Sequence, residues 1–297
     1  MALSPFKAPG PDGIPNVMLQ KCADLLIPFL LQIYQAILML NIYPRSWNES
    51  ITVVIHKLGK PRYDVPKAFR PIALLNTMGK VLTAIIAEEV SNLVEREGLL
   101  PNSHFGGRPG RMTTDAVHLL THKIKEAWRK GKVALILFLD VEGAFPNAVT
   151  DRVIHTLRRK RLPERHVNYV RNLLENRVSR LKFDDFTSAP MQINNGIGQG
   201  DPLSMILYIM YNADLVDIAE GNDELSLGFV DDAIVAVEGD DFHDTTNKIR
   251  DIMTRPGGAL EWSTDHNSKF ELSKLAVMHL SQKKKRSKCS KRMSRLP

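Results

Sequence analysis

Cysteine is scarce in this sequence, since Cys22 and Cys289 are the only two among 297 residues. Two cysteines are too few for a disulfide framework or a zinc knuckle, which excludes both as sources of stability. Long hydrophobic runs are also missing, because no apolar stretch approaches the roughly 18 to 20 residues of a membrane span. Met1 is not followed by a basic segment that leads into an apolar secretory core. These absences predict an intracellular protein without a membrane partner.

Acidic residues are absent from the last segment, 282–297, where eight residues are Lys or Arg. Subtracting these eight from the total of 40 basic residues leaves 32 against 33 acidic ones, so the rest of the chain is nearly neutral. With 43% hydrophobic residues, the chain has enough apolar material for a core. We expect a folded region over residues 1–281 and a basic, disordered tail over 282–297. Such a tail suits nuclear import or non-specific phosphate binding, so we expect a nuclear or else a cytoplasmic protein.

Two short apolar runs meet at Asp231 and Asp232 in segment 225–237, LSLGFVDDAIVAV. Apolar and β-branched residues around a short polar tip predict a tight β-hairpin that holds both carboxylates at its exposed end. Like charges this close repel each other, and a divalent cation such as magnesium would relieve the repulsion. The pairs at 184–185 and 240–241 are predicted to be a surface turn and a helix cap instead. The hairpin pair alone leaves a metal site and an ordinary acidic turn both open.

A second acid follows a buried strand. Residues 134–139, ALILFL, form a wholly apolar run that ends at Asp140, and Phe145 lies five residues further on. A strand of this kind gives the Asp140 carboxylate a rigid support. The residues alone leave Phe145 as a core aromatic that anchors the next helix.

Basic side chains occur where strands end and loops begin. Lys57 closes the strand-like segment 51–57, and Arg70 lies in FRPIALL. They suit phosphate binding, but ordinary surface charge explains them equally simply.

Glycine-rich loops and apolar helices complete the sequence pattern. Loop 195–204, NGIGQGDPLS, contains Gln199 and is suited to lie against a base pair or sugar, although such loops are common. Loop 104–115 places Arg108 and Arg111 among glycines, which would allow a nucleic-acid strand to approach the backbone. Segments 16–40 and 77–97 have apolar residues at helical spacing, and we expect both helices to be buried scaffold.

Seven motifs follow one another in a distinctive order. They read KAPGPDG, FRPIALL, GGRPGR, LFLDVEGAF, GIGQGDPLS, GFVDD and SKLAVMHL. This succession resembles the reverse transcriptase domain of non-LTR (LINE-like) retrotransposons, and is closest to fungal elements, over almost the whole chain to about residue 281. The resemblance implies an α+β fold of the right-hand polymerase type, with fingers and an antiparallel palm sheet packed on helices. It also implies a truncated copy, because the thumb and an endonuclease domain have no counterpart in this sequence.

The resemblance implies a role for each acid. Asp140 matches the first catalytic aspartate, Asp231 the second, and Asp232 the third acid of the family. In such enzymes these carboxylates hold two magnesium ions, for which manganese can substitute. Where the family often has Tyr-Ala before the aspartates, this chain has Phe229 and Val230, which keep the apolar support.

Other matches concern the substrates. Lys57 and Arg70 match fingers residues that bind the nucleotide triphosphate, and Phe145 matches the aromatic steric gate under the sugar. Gln199 matches a loop residue near the templating pair, and Lys274 matches a lysine that protonates pyrophosphate. The expected partners are an RNA template, a DNA primer and deoxynucleoside triphosphates. The alternative is a non-catalytic protein with the palm fold, either an RNA-binding domain or a degenerate retrotransposon remnant.

Overall fold

The computed structural model describes residues 4–282, whose helices and strands alternate along the chain. The first part contains α1 (Asn16–Lys21), α2 (Ala23–Leu40), β1 (Glu49–His56), β2 (Phe69–Leu75), α3 (Thr77–Arg96) and α4 (Thr113–Arg129). The middle part contains β3 (Val133–Asp140), α5 (Ala144–Asn147), α6 (Thr150–Arg159), α7 (Glu164–Leu174), β4 (Arg177–Phe183), β5 (Phe186–Thr187) and β6 (Met191–Ile193). The last part contains α8 (Ser204–Tyr211), α9 (Ala213–Val216), β7 (Glu224–Phe229), β8 (Asp232–Gly239), α10 (Phe242–Thr254), α11 (Ala259–Asp265) and β9 (Ala276–Leu280).

Within residues 4–282 the strands form two sheets. The palm sheet has the antiparallel order β7-β8-β3-β9. The fingers sheet has the order β2-β1-β4-β5, with β6 also paired to β4; its β1 and β4 run parallel and its other pairs antiparallel. This arrangement confirms the predicted α+β class with an antiparallel palm sheet packed on helices.

The central palm strand β3 is buried on both faces. Leu135, Ile136 and Leu137 are each at most 2% exposed, which explains why the sequence shows a continuous apolar run instead of alternation. On one side lies the hydrophobic core, to which α8 contributes the fully buried Tyr208. Helices α4 and α10 also contact β3. Coverage on both faces makes β3 a rigid base for the acid at its end.

Helix α2 corrects one prediction from the sequence. The segment 16–40 was expected to be one buried helix, but it breaks at Cys22, and α2 is largely exposed: Leu25 is 75% and Phe29 66% accessible. Only Tyr34 and Ile37 of α2 are buried. Helix α2 carries apolar residues on all of its faces, but the rest of the fold covers only one of them. The spacing of apolar residues therefore could not predict which part of the helix is buried.

The same helix corrects the expectation drawn from the lack of long apolar runs. In length and composition α2 is comparable to a membrane span, with 18 residues, a mean hydropathy of 1.7 and 11% of its residues buried. The core helix of a soluble protein or a signal sequence can satisfy these two criteria equally well. Helix α3, in contrast, is buried scaffold as predicted, with Val90 and Val94 fully covered.

Several local predictions are confirmed and two helix boundaries differ. Residues 184–185 form the turn between β4 and β5, and the Asp241 carboxylate caps α10 by accepting a hydrogen bond from the Asp244 N–H. Asp201 followed by Pro202 predicts a helix start there, but α8 begins at Ser204, and Asn212 separates α8 from α9. Pro146 predicts the start of one helix that runs toward residue 161, but the structure has two helices, α5 and α6. Apart from Gln282, the basic tail lies outside the described residues, so the boundary at residue 281 stays a prediction.

Candidate active site

The two sequence-predicted acid positions meet at one edge of the palm sheet. Strands β3 and β8 pair in antiparallel register, which places Asp140 directly opposite Asp232. Strand β7 pairs Phe229 with Asp232, so the hairpin is confirmed, but its two-residue turn is Val230 and Asp231, one position before the predicted tip of Asp231 and Asp232. Residues directly opposite in such a pair lie close together, about 4.5–5.5 Å between their Cβ atoms. The sheet therefore places Asp140 beside Asp232, with Asp231 in the adjoining turn.

The turn that carries Asp231 is strained. Val230 has a φ of +61°, a left-handed conformation that is unfavourable for a β-branched residue. The buried Asn212 holds this turn by donating a hydrogen bond from Nδ2 to the Val230 carbonyl oxygen at 2.5 Å. Gly106 lies against it so closely that an added Cβ would be 2.6 Å from the Val230 nitrogen. Neither Asn212 nor Gly106 is predicted as a support of this turn from the sequence, although Asn212 stands out as a polar residue between two apolar helical segments.

The acid cluster has the electrostatics of a cation site. Burial and then the charges of Asp231 and Asp140 raise the pKa of Asp232, while Lys274 opposes the shift. The Lys274 ammonium donates to both Asp140 carboxylate oxygens, at 2.8 and 3.0 Å, and this contact raises the pKa of Lys274. Within residues 4–282, no three Asp, Glu, His or Cys side chains are gathered as a ready metal cage. The oxygen donors nevertheless fit a hard divalent ion, and Asp140 already binds a cationic group.

Positive charges from the fingers sheet face these acids. Burial lowers the pKa of Lys57, as do the nearby charges of Lys60, Arg70 and Lys274, while Asp140 acts in the opposite direction. Lys57 follows β1, and Arg70 is an exposed residue of the paired strand β2. The effect of the Asp140 charge on Lys57 shows that the predicted triphosphate-binding residues lie near the predicted catalytic acid.

Phe145 lies on α5, just beyond the acid of β3. Its ring stacks on Tyr208 with 4.7 Å between ring centroids, and its carbonyl accepts a hydrogen bond from Ile197 N at 2.7 Å. The side chain is half-buried against the core. Phe145 thus packs as a core aromatic does, and its role as a sugar gate stays a prediction.

Gln199 ties the glycine-rich loop to the fingers sheet. Its carbonyl oxygen accepts a hydrogen bond from Ala73 N of β2 at 2.9 Å. The residue lines a cavity of about 290 Å³ between the loop and the fingers, together with Trp47 and Asp201. Burial raises the pKa of Asp201 to about 6, against the hydrogen bond from Leu203 N and the charges of Lys80 and Arg177.

Arg108 corrects the expectation for loop 104–115. Its guanidinium donates to both Glu95 carboxylate oxygens at 2.7 Å and to the Pro101 carbonyl at 2.7 Å, and the residue is 7% exposed. Because a buried guanidinium requires these partners, Arg108 stabilises the fold and is not exposed for contact with nucleic acid. Arg111 is only partly exposed and lies 5.7 Å from the centre of the Phe105 ring.

These features define the right-hand polymerase fold, in which acids at the strand ends of a palm sheet lie near basic residues of the fingers. The chain belongs to the reverse transcriptase (RNA-dependent DNA polymerase) family, whose profile matches residues 55–288.

Curated relatives come from non-LTR retrotransposons. The chain is 31% identical over 269 residues to the probable RNA-directed DNA polymerase from transposon X-element of Drosophila melanogaster, covering 88% of this chain and 29% of the relative. It is 25% identical to the RNA-directed DNA polymerase from mobile element jockey of the same species, covering 91% and 30%. The expected affinity to fungal elements is not confirmed by these relatives. The chain spans less than a third of their length.

Solved structures of telomerase share the fold. Apo telomerase from Candida tropicalis, truncated from the C-terminal domain, superposes with a TM-score of 0.57 at 12% identity, over 85% of this chain and 53% of that one. Telomerase from Candida albicans in complex with a fragment of telomeric RNA gives a TM-score of 0.53 at 13% identity, over 81% and 45%. At these identities the likeness concerns the fold alone, and it agrees with the expected fingers and palm.

Proposed function

We propose that this chain carries the RNA-directed DNA polymerase activity of its family, extending a primer 3′-hydroxyl with deoxynucleoside triphosphates on an RNA template. The observation that carries the proposal is the cross-strand pair Asp140 and Asp232, with Asp231 in the adjoining turn. Three carboxylates at one strand end are costly unless cations join them, and nucleotidyl transfer uses that arrangement.

The acids hold the metal ions in this proposal. Reverse transcriptases use divalent metal ions, and Asp140, Asp231 and Asp232 are the ligands that would hold two magnesium ions, or manganese in their place. When bound, the ions activate the attacking hydroxyl and neutralise charge on the pyrophosphate leaving group. The strained turn at Val230 and its hydrogen bond from Asn212 fix the direction in which Asp231 points.

Basic residues of the cleft bind and position the nucleotide. Lys57 and Arg70 hold the triphosphate, for which the planar guanidinium offers paired donors. Lys274 provides the proton for the departing pyrophosphate oxygen, and for this its ammonium must leave Asp140. Phe145 lies under the sugar, and Gln199 lies near the templating pair.

The nucleic-acid partners follow from the same activity. The cleft between the two sheets receives the RNA template and the DNA primer. The names of the relatives, RNA-directed DNA polymerases of transposons, support this assignment. The basic residues of 282–297 add non-specific phosphate contacts and suit nuclear import.

A primer-extension assay on an RNA template tests the proposal. The wild-type chain should extend the primer with magnesium, and Asp231→Asn and Asp140→Asn should each abolish extension while melting as cooperatively as wild type. Asp185→Asn, at the surface turn between β4 and β5, is the matched control and should remain active. Extension by Asp231→Asn would refute the assignment. A wild-type chain that binds RNA but never extends would instead identify a non-catalytic remnant.

A further inference from the structure

One side chain of the fingers forms ion pairs with two acids of the palm. Lys67, in the loop between β1 and β2, forms ion pairs with Glu271 at 2.7 Å and with Glu142 at 3.0 Å. Glu142 follows β3, and Glu271 precedes β9, so both acids belong to the palm. We propose that Lys67, Glu142 and Glu271 form a fingers latch, whose closure positions Lys57 and Arg70 over the acids for nucleotide binding. The inference rests on the proposed polymerase function.

The palm side of the latch is fixed to the catalytic strand. The Glu271 N–H donates to the Asp140 carbonyl oxygen at 2.8 Å, and the Glu142 N–H donates to the Lys269 carbonyl at 2.8 Å. Ser273 Oγ also donates to the Glu271 carboxylate at 2.8 Å, and the Glu271 side chain is only 15% exposed. The acids therefore hold one position relative to Asp140.

A turn between residues 271 and 274 carries both a latch acid and the proposed proton donor. Lys274 N–H donates to the Glu271 carbonyl at 2.9 Å, which closes a tight turn between the two residues. The turn sends the Lys274 ammonium to Asp140 and the Glu271 carboxylate to Lys67. A change in the latch thus acts on the segment that carries the proposed proton donor.

The fingers side of the latch is tied to the triphosphate-binding residues. The Lys67 carbonyl accepts a hydrogen bond from Lys57 Nζ at 3.1 Å, and Lys57 N–H donates to the Ala68 carbonyl at 2.8 Å. Tyr63 Oη donates to the Lys57 carbonyl at 2.9 Å. Movement of Lys67 therefore moves Lys57, so the latch sets the distance between the phosphate-binding residues and the acids.

Removing the latch should have a modest effect, because the Lys67 side chain is exposed to solvent. The Lys67 side chain is 70% exposed, and exposed ion pairs are individually weak and screened by salt. A weak pair suits a latch that must open for nucleotide entry and product release. We accordingly expect changes of about twofold to fivefold on its removal, without loss of the fold.

The kinetic test uses variants that change one charge at a time. Glu271→Gln and Lys67→Met should raise the KM for the incoming nucleotide about twofold to fivefold with a smaller effect on kcat. Lys67→Arg keeps the positive charge and should restore the wild-type KM. Glu126→Gln is the matched control, because it removes an exposed acid that pairs with Lys130 on α4, away from the cleft.

Limited trypsin digestion tests the latch without polymerase activity. Arg62 lies in the β1–β2 loop, and its cleavage reports how often the loop leaves the palm. Glu271→Gln should be cut at Arg62 about twofold to fivefold faster than wild type. Salt at 0.5 M should accelerate cleavage of wild type more than of Glu271→Gln, and Glu126→Gln should behave as wild type.

Equal cleavage rates in wild type, Lys67→Met and Glu271→Gln would overturn the latch, whether or not the chain extends primers. Faster cleavage of the two variants, reversed in Lys67→Arg, supports it. A wild-type chain that is inactive while the variants are cleaved faster would refute the proposed function and leave the latch standing.

Discussion

Lys274 donates hydrogen bonds to both carboxylate oxygens of Asp140, so an ammonium group occupies the carboxylate that is proposed to bind a metal ion. The two residues are 134 positions apart, and the pairing of β3 with β9 brings them together. In the proposed function, a metal ion would therefore compete with this lysine for the Asp140 carboxylate, and Lys274 would have to leave Asp140 for the metal to bind.

Removing the Lys274 charge should separate metal binding from catalysis. In Lys274→Met, a metal ion no longer competes with the ammonium group for Asp140. We therefore expect Mn²⁺ to bind about fivefold more tightly, as measured by electron paramagnetic resonance. Primer extension should nevertheless slow by about 10²-fold to 10⁴-fold, because the proton donor is gone. Lys269→Met, on the same segment, is the control and should change neither quantity. Unchanged Mn²⁺ affinity in Lys274→Met would show that the ion pair does not compete with metal.

Asp201 should make stability depend on pH. Its pKa is raised from 3.8 to about 6 in the folded chain, so the folded state binds its proton more tightly than the unfolded state. The resulting stability is present below about pH 4 and is lost as the pH rises to about 6. Asp201→Asn keeps an oxygen for the Leu203 N–H and should be more stable than wild type at pH 7.5, by up to about 3 kcal/mol.

Urea unfolding at pH 4, 5, 6 and 7.5 measures this difference. The advantage of Asp201→Asn should shrink as the pH falls and vanish near pH 4. Asp217→Asn, which alters an exposed acid after α9, should follow wild type throughout. A constant difference across the range would contradict the sign of the shift.

Phe145 is predicted to select the sugar of the incoming nucleotide. In Phe145→Ala, loss of the ring would open space for a 2′-hydroxyl, so ribonucleotide incorporation should rise relative to deoxynucleotide. The stacking on Tyr208 means that some stability is lost as well, roughly 3–5 kcal/mol at most. Leu93→Ala, a half-buried residue of α3, provides a destabilised control with unaltered sugar preference. An active Phe145→Ala variant with wild-type preference would assign the ring to packing alone.

The basic tail should add affinity for nucleic acid without sequence preference. Deleting 282–297 removes eight positive charges, so RNA binding should weaken and its logarithm should depend less steeply on salt concentration. Primer extension at saturating template should persist, because the described acids and basic residues remain. Filter binding between 50 and 200 mM salt measures the slope. An identical slope would show that the tail makes no phosphate contacts.

The sequence by itself determined the features that depend on neighbouring residues. The apolar run of β3, the Asp231 hairpin and the cap at Asp241 follow from local patterns, and the structure contains all three. The order of the motifs determined the family, which the matched profile confirms.

Only the tertiary structure decided which residues are buried and which distant residues form pairs. Arg108 was expected near nucleic acid and instead binds Glu95, and α2 was expected in the core and is mostly exposed. The support that Asn212 gives to Val230 and the pairing of Lys67 with Glu271 also join residues distant in sequence. Periodicity and composition describe a segment's own surface, whereas burial and ion pairing depend on which other segment covers it. That choice of neighbour is made by the packing of the whole chain.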